Sequence, residues 1–308
     1  MTLLWKKFPI LNDGFICLAD FMGNDWKIAS RARTSYGKSD RAIRITEVME
    51  SKQVNFEEAR RVVDREDAGL IRRLMRDRHT SPFEFCQIEF LVRAPIYVFR
   101  QWHRHRTASI NEYSGRYKEM TDSMETTPPG KWRLQSGKNK QGSDGYLKDW
   151  PEGLESNHPD QSPGEFLSED ETFMHKSLNL SYKRRLALGV AKEQARKDLP
   201  VSNYSEMYWS CDLHNLLHFL TLRMDKHAQE EIRLYANQMG EIVKELFPVT
   251  WQAFEDYRLN AMQLTALDIK AIQLINQNEP EESALDIIFT NKTEKEECSA
   301  KLKLLGIL

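Results

Sequence analysis

The sequence predicts an α+β fold, a mixed sheet packed with long helices. Three observations carry that expectation. The run Cys86-Gln-Ile-Glu-Phe-Leu-Val92 alternates, with Ile88, Phe90 and Val92 on one side, and residues 14–20 have similar strand character. Three segments repeat their apolar residues at helical spacing. The mixture is soluble in composition, with 40% apolar and 29% charged residues and no apolar run approaching ~18 residues, so no membrane span is expected.

In chain order, Asn55 is a helix cap with Glu58 three residues on. After Gly69, residues Leu70, Ile71, Leu74 and Met75 share one helical face, and Arg72, Arg73, Arg76 and Arg78 take the other. Pro95 suits the first turn of a helix that runs from Ile96 towards Arg104. Leu213, Leu216, Leu217 and Leu220 mark a buried helix face, and a second helix is expected from about Lys226 to Leu246. Residues 121–171 hold 11 of the chain's 25 glycines and prolines, Pro159 among them, and read as a long excursion from the fold. Within it, Lys131 to Gly142 is basic with Trp132 as an anchor, which as a bare pattern is a solvated loop. Beyond Leu259 the chain becomes charged and helical, giving a division at 1–260 and 261–308.

Charge and cysteine usage narrow the function. Lysine plus arginine number 44 against 46 aspartates and glutamates, a net charge of −2, so no protein-wide basic field for nucleic acid exists. Cys17, Cys86, Cys211 and Cys298 lie far apart, without zinc or redox spacing. The Met1 end has no long apolar core or small-residue cleavage site, so no secretory signal is expected. A reduced, cytoplasmic protein is the expectation.

The densest polar stretch runs from Arg100 to Tyr117, where four arginines meet one carboxylate, Glu112. If a helix continues through it, Gln101 and Arg104 project from one side. Ser114-Gly115-Arg116 offers a hydroxyl, a backbone that a ligand can approach closely and a guanidinium fork, the parts of a phosphate cradle. A salt-bridged exposed helix is the plainer reading. RNA binding is another, with Trp102, Tyr113 and Tyr117 as stacking rings. Ser114 as a nucleophile with His105 as base lacks the G-x-S-x-G turn. His214 and His218 have the i, i+4 spacing of a metal pair, yet Asn215 stands where a zinc hydrolase needs glutamate. Arg223 ends a leucine-rich face and must meet an anion, with Asp225 the nearest partner in sequence. Arg196 is a further candidate anion ligand.

Arg104-His-Arg106, then seven residues, then Ser114 resembles the signature of the flavin-dependent thymidylate synthases. So do Ala32-Arg-Thr-Ser-Tyr-Gly37, His79-Thr-Ser-Pro-Phe-Glu84, Trp132-Arg-Leu-Gln-Ser136, Glu193-Gln-Ala-Arg196 with Leu199-Pro200, and Leu222-Arg-Met-Asp-Lys-His-Ala-Gln229, in the family's order. The resemblance covers roughly residues 12–258. It implies methylation of dUMP to dTMP with 5,10-methylenetetrahydrofolate as carbon donor, FAD as redox carrier and NADPH as reductant. It also implies one catalytic domain, a homotetramer with active sites between subunits, and no cysteine nucleophile. Carried over by residue, Gln101, Arg104, Glu112, Ser114, Gly115, Arg116, Arg196 and Arg223 resemble dUMP ligands, with Arg223 against the uracil edge as the catalytic residue. Ser81, Arg104, His105, Arg106, Glu112, His214 and His218 resemble FAD contacts. The chain departs from the pattern at Lys197-Asp198, where small apolar residues are common, and at Asp212-Leu-His214, where some members have Asn-x-Arg.

Overall fold

A computed structural model describes residues 3–137, 142–154 and 160–307. Part of the basic stretch, residues 138–141, lies outside the described residues, as does Pro159 of the excursion. The chain divides into two compact units, the first ending at Phe254 and the second running from Glu255 to Leu308.

The first unit is built on a five-stranded sheet in the order β1-β2-β3-β7-β4. Strands β1 (Lys7–Ile10) and β2 (Gly14–Met22) form a hairpin. Helices α1 (Asp25–Arg33), α2 (Arg41–Lys52), α3 (Phe56–Arg76) and the short α4 (Ser81–Glu84) precede β3 (Gln87–Pro95). Helix α5 (Ile96–Trp102) and β4 (Ser109–Glu112) follow, then a small hairpin of β5 (Arg133–Gln135) and β6 (Ser143–Tyr146). Helices α6 (Pro163–Ala187) and α7 (Lys192–Ala195) lead to β7 (Tyr204–Asp212), and α8 (Leu213–Arg223), α9 (Glu230–Leu246) and α10 (Pro248–Phe254) close the unit.

Every paired strand in that sheet runs antiparallel, so the expected mixed sheet is corrected to an antiparallel one. Its core face follows from alternation. Ile88, Phe90 and Val92 of β3 are buried and pair in register with Cys211, Trp209 and Met207 of β7. Helices α8 and α9 cover that face with an aromatic cluster in which Trp102 lies 5.0 Å from Phe219, 5.8 Å from Trp209 and 5.9 Å from Tyr235.

Four elements differ from expectation. The segment opened by Asn55 continues unbroken through Gly69 as one 21-residue helix. Gly69 sits on its exposed side, where helix propensity alone cannot break a face anchored by Val63, Ile71 and Leu74. The helix after Pro95 stops at Trp102, because the free edge of β7 captures Ser109–Glu112 as a strand. Residues 226–229 are a turn rather than the start of α9. Asp225 accepts the His227 amide at 2.8 Å, and Arg233 Nη1 holds the carbonyls of Lys226 and Ala228 at 2.7 and 3.4 Å. The excursion contains the β5–β6 hairpin and the first turns of α6, whose start is fixed by a capping box between Ser162 and Glu165.

The second unit opens with a π-helical turn (Glu255–Leu259) and holds α11 (Ala266–Asn276), α12 (Glu281–Ile288) and α13 (Lys292–Leu304). Ala271, Leu285, Phe289, Cys298 and Leu302 form its own small core. Asp268 caps α11 and bonds Lys301 Nζ at 2.7 Å; although burial opposes ionisation, those contacts hold its carboxyl down to about 2.

Candidate functional site

The aromatic cluster of the core ends outward at His105, whose ring meets Phe219 edge-on at 4.7 Å and His218 at 6.3 Å. Arg223, the last residue of α8, donates from Nε to His105 Nε2 at 3.0 Å and from Nη2 to the Gln101 carbonyl at 3.2 Å. Asp225, its expected partner in sequence, is turned to His227 instead, 2.8 Å away. Arg223 is therefore half-buried with no carboxylate against it among the described residues. Burial draws its guanidinium below the usual arginine range. Burial, then the charge of Arg223 and the nearby His218, press His105 down to about 4, so its ring is neutral and Nε2 serves as acceptor. The Gln101 side chain is held by Gln229, at the N-cap of α9.

A second group lies beyond β4, a strand about 10 Å long. Here residues 114–122 leave the sheet as a loop clamped at its neck. The Tyr113 amide donates to the Glu206 carbonyl at 2.8 Å, and the Tyr204 amide to the Ser123 carbonyl at 3.0 Å, so both clamps are on β7. Inside the loop, Ser114 begins a tight turn with its carbonyl accepting the Tyr117 amide at 3.1 Å. Gly115 is buried, and a Cβ on it would lie 2.5 Å from Met120 Sδ and 3.1 Å from Arg196 Cδ, so a larger residue requires the Met120 side chain to shift. Arg116 Nε meets Glu193 at 3.1 Å, and Lys192 Nζ donates to the Tyr117 carbonyl at 3.2 Å. The structure thus brings Ser114, Gly115, Arg116 and Arg196 together. Arg116 takes a carboxylate 77 positions away rather than Glu112. Glu112 accepts from Ser205 Oγ at 2.8 Å and sits 3.8 Å from His103 Nε2.

The two groups are not joined to each other by a hydrogen bond or ion pair among the described residues. Arg104 and Arg106 are exposed between them, without a carboxylate partner there. Ser81 is exposed at the start of α4, which packs on α8, and His214 is half-buried on α8 itself. No group of three or more metal-binding side chains occurs among the described residues.

The family model described as thymidylate synthase complementing protein, Thy1, matches residues 17–249. The chain belongs to this family. Two relatives of this Thy1 chain carry the name flavin-dependent thymidylate synthase. One, from Thermus thermophilus, is 41% identical over 277 residues, 90% of this chain and 88% of that one. The other, from Wolbachia pipientis wMel, is 38% identical over 280 residues, 90% of this chain and 86% of that one. Among solved structures, the UMP/dUMP methylase PolB of Streptomyces cacaoi, bound with 5-Br dUMP, superposes with a TM-score of 0.62 at 30% identity. That alignment covers 82% of this chain and 99% of PolB.

Within this Thy1 member the donor set fits a flavin. Arg104 and Arg106 offer exposed guanidinium groups suited to a diphosphate, and His105 and His218 offer rings backed by the buried Phe219. All four cysteines are free and buried. Desolvation pushes Cys86 up to about 11 and Cys211 higher still, so neither is a thiolate at neutral pH. Sequence reasoning missed Gln229 and Glu193 as site residues. Gln229 and Glu193 lie inside motifs already singled out by resemblance, but their contacts are visible only once the chain is folded.

Proposed function

We propose that this chain is a flavin-dependent thymidylate synthase. It converts dUMP, 5,10-methylenetetrahydrofolate, NADPH and a proton to dTMP, tetrahydrofolate and NADP+. FAD, when bound, supplies the hydride that turns the transferred methylene into a methyl group. The observation that carries the reading is Arg223: a half-buried guanidinium held by a neutral histidine and a backbone carbonyl, with no carboxylate against it among the described residues. An uncompensated cation in that setting is built to meet an anion supplied by a ligand. Against the uracil edge it stabilises the negative charge that develops as C5 becomes the nucleophile.

The other residues take supporting roles. Ser114, Gly115, Arg116 and Arg196 hold the dUMP phosphate and sugar, with Arg196 packed against the buried Gly115. Gln101 and Arg104 hold the nucleotide from the other group, with Glu112 between the two ligands. Ser81, Arg104, His105, Arg106, Glu112, His214 and His218 hold FAD. Because the two groups are not bonded to each other among the described residues of one protomer, we read each active site as completed by a second copy, in a homotetramer. Residues 1–260 carry the catalysis and 261–308 form a charged helical extension. No helix among the described residues is long and apolar enough to cross a membrane. Its four free cysteines suit a cytoplasmic enzyme.

The test is visible absorbance of the purified protein under anaerobic NADPH, with and without dUMP. A yellow protein that bleaches, then recovers with dTMP formed when the folate is added, is the expected outcome. A colourless protein that refuses added FAD overturns the reading.

A further inference from the structure

Strand β7 turns Met207, Trp209 and Cys211 towards the core, and all three are buried. Ser205 continues that row at the same parity. It is 3% exposed and lies opposite the buried Ala94 of β3. A hydroxyl in such a place needs a partner, because burying one without a hydrogen bond is costly. The partner is Glu112, whose Oε1 accepts from Ser205 Oγ at 2.8 Å. The contact follows from register. Glu112 of β4 is paired with Met207, so Ser205 is its diagonal neighbour on the same face of the sheet.

Strand β4 does not depend on this bond. Ser109, Ile110, Asn111 and Glu112 all pair with β7 in register, and the Tyr113 amide adds its own bond to the Glu206 carbonyl. What the Ser205 hydroxyl fixes is the direction of a charge. Glu112 is half-buried, and no lysine or arginine pairs with it among the described residues, although Arg104, Arg106 and Arg116 are close in sequence. Its Oε2 accepts no hydrogen bond from those residues. His103 Nε2 stands 3.8 Å from it, beyond hydrogen-bond distance, on a ring stacked with Phe99. That nitrogen is itself buried without a hydrogen-bond partner among the described residues. One carboxylate oxygen is therefore tied down by the sheet, and the other keeps its accepting capacity.

We propose that Ser205 is a positioning residue, which aims Glu112 Oε2 at a hydroxyl group of a bound ligand. The inference rests on the function proposed above, in which Glu112 stands between the nucleotide and FAD. A carboxylate repels phosphate and accepts from O–H donors. Both ligands carry such donors, dUMP on its sugar and FAD on its ribityl chain and ribose, and each presents the same chemistry to Glu112.

The experiment is calorimetric binding to the full-length protein. FAD is titrated into the flavin-free protein, then dUMP into protein saturated with FAD. Wild type is compared with Ser205→Ala, Ser205→Thr, Glu112→Ala and the double variant Ser205→Ala/Glu112→Ala. Ser205→Ala is expected to weaken one ligand by about five- to tenfold, the worth of one ordinary hydrogen bond, and Ser205→Thr to restore it. With Glu112 already alanine, Ser205→Ala should change that affinity by less than about twofold, because the two residues act as one unit. A loss for dUMP assigns the hydroxyl to the nucleotide, and a loss for FAD assigns it to the flavin. Three outcomes overturn the proposal: Ser205→Ala that binds both ligands as wild type does, a threonine variant that binds as weakly as the alanine one, or a loss that persists undiminished without Glu112. The last of these would make Ser205 a packing residue of the sheet. Failure of the underlying reading looks different: wild type that binds neither ligand, or Glu112→Ala that binds both normally.

Discussion

Two arginine-rich regions of the same unit treat charge in opposite ways. Between α1, α2 and α3, Arg33 and Arg44 converge on Asp67, which is 1% exposed, at 3.0 and 2.6 Å. Arg44 also reaches Glu66 at 3.0 Å, and Arg41 pairs with Asp64. In the segment around His105, Arg104 and Arg106 have no carboxylate among the described residues, and Arg223 leans on an imidazole and a carbonyl. The first arrangement is closed: every cation has its anion, and the three helices are joined by it. The second is open, and a half-buried cation kept open marks where an external anion is meant to sit. Arginine density alone does not separate the two; the location of the carboxylates does.

The comparison breaks if the closed cluster proves dispensable. Asp67→Ala removes the shared buried partner of Arg33 and Arg44, leaving the buried Arg44 only its exposed contact with Glu66, and is expected to destabilise the protein by about 3–5 kcal/mol, read from the urea midpoint. The folded fraction should keep its turnover. A change below about 1 kcal/mol would mean that Asp67 is not the joint between the helices.

At the open site the expected loss is functional instead. Arg223→Ala should fold and keep its flavin absorbance while dTMP formation drops by about 100- to 1,000-fold. Near-normal turnover by that variant removes Arg223 from the chemistry.

A pH titration sharpens the contrast. His105 is held at about 4 by burial, Arg223 and His218, against an ordinary value of 6.5. Between those pH values the unfolded chain binds a proton that the folded chain excludes. Stability should therefore fall as pH drops from about 6.5 to 4, then level off for this group. Melting curves of His105→Gln should show a shallower slope across that window, and an unchanged slope would refute the assignment.

The smallest effect lies near the closed cluster. Gly69 is exposed in mid-helix, and a methyl group added there would meet nothing within 4 Å. Gly69→Ala should therefore stabilise by about 0.4–1 kcal/mol in chemical denaturation. A destabilisation would show that α3 needs the freedom of glycine there.

Much of this was legible in the linear chain where one face of an element is dry. The alternation in β3 and the leucines of α8 report burial directly. Strand direction is not written that way: β3 and β7 pair across more than a hundred positions, and nothing local records their register. Helix α6 escaped because its apolar residues do not gather on one side. Tyr182 is buried, while Phe166, Phe173, Met174 and Leu180 are exposed. The capping box at Ser162 was the signal available. At the site, the arginines stood out by density, but Arg116 finds Glu193 and Gln101 finds Gln229 only through the fold.

The neck of the 114–122 loop has an evolutionary consequence. Its two ends are stitched to Glu206 and Tyr204, two positions apart on one strand. Whatever lies between them is a cassette on a fixed mount, and doubling its length would add only about 0.6 kcal/mol of closure entropy. A lineage could exchange the nucleotide grip by swapping that stretch, leaving the sheet and the Arg223 helix to be inherited intact.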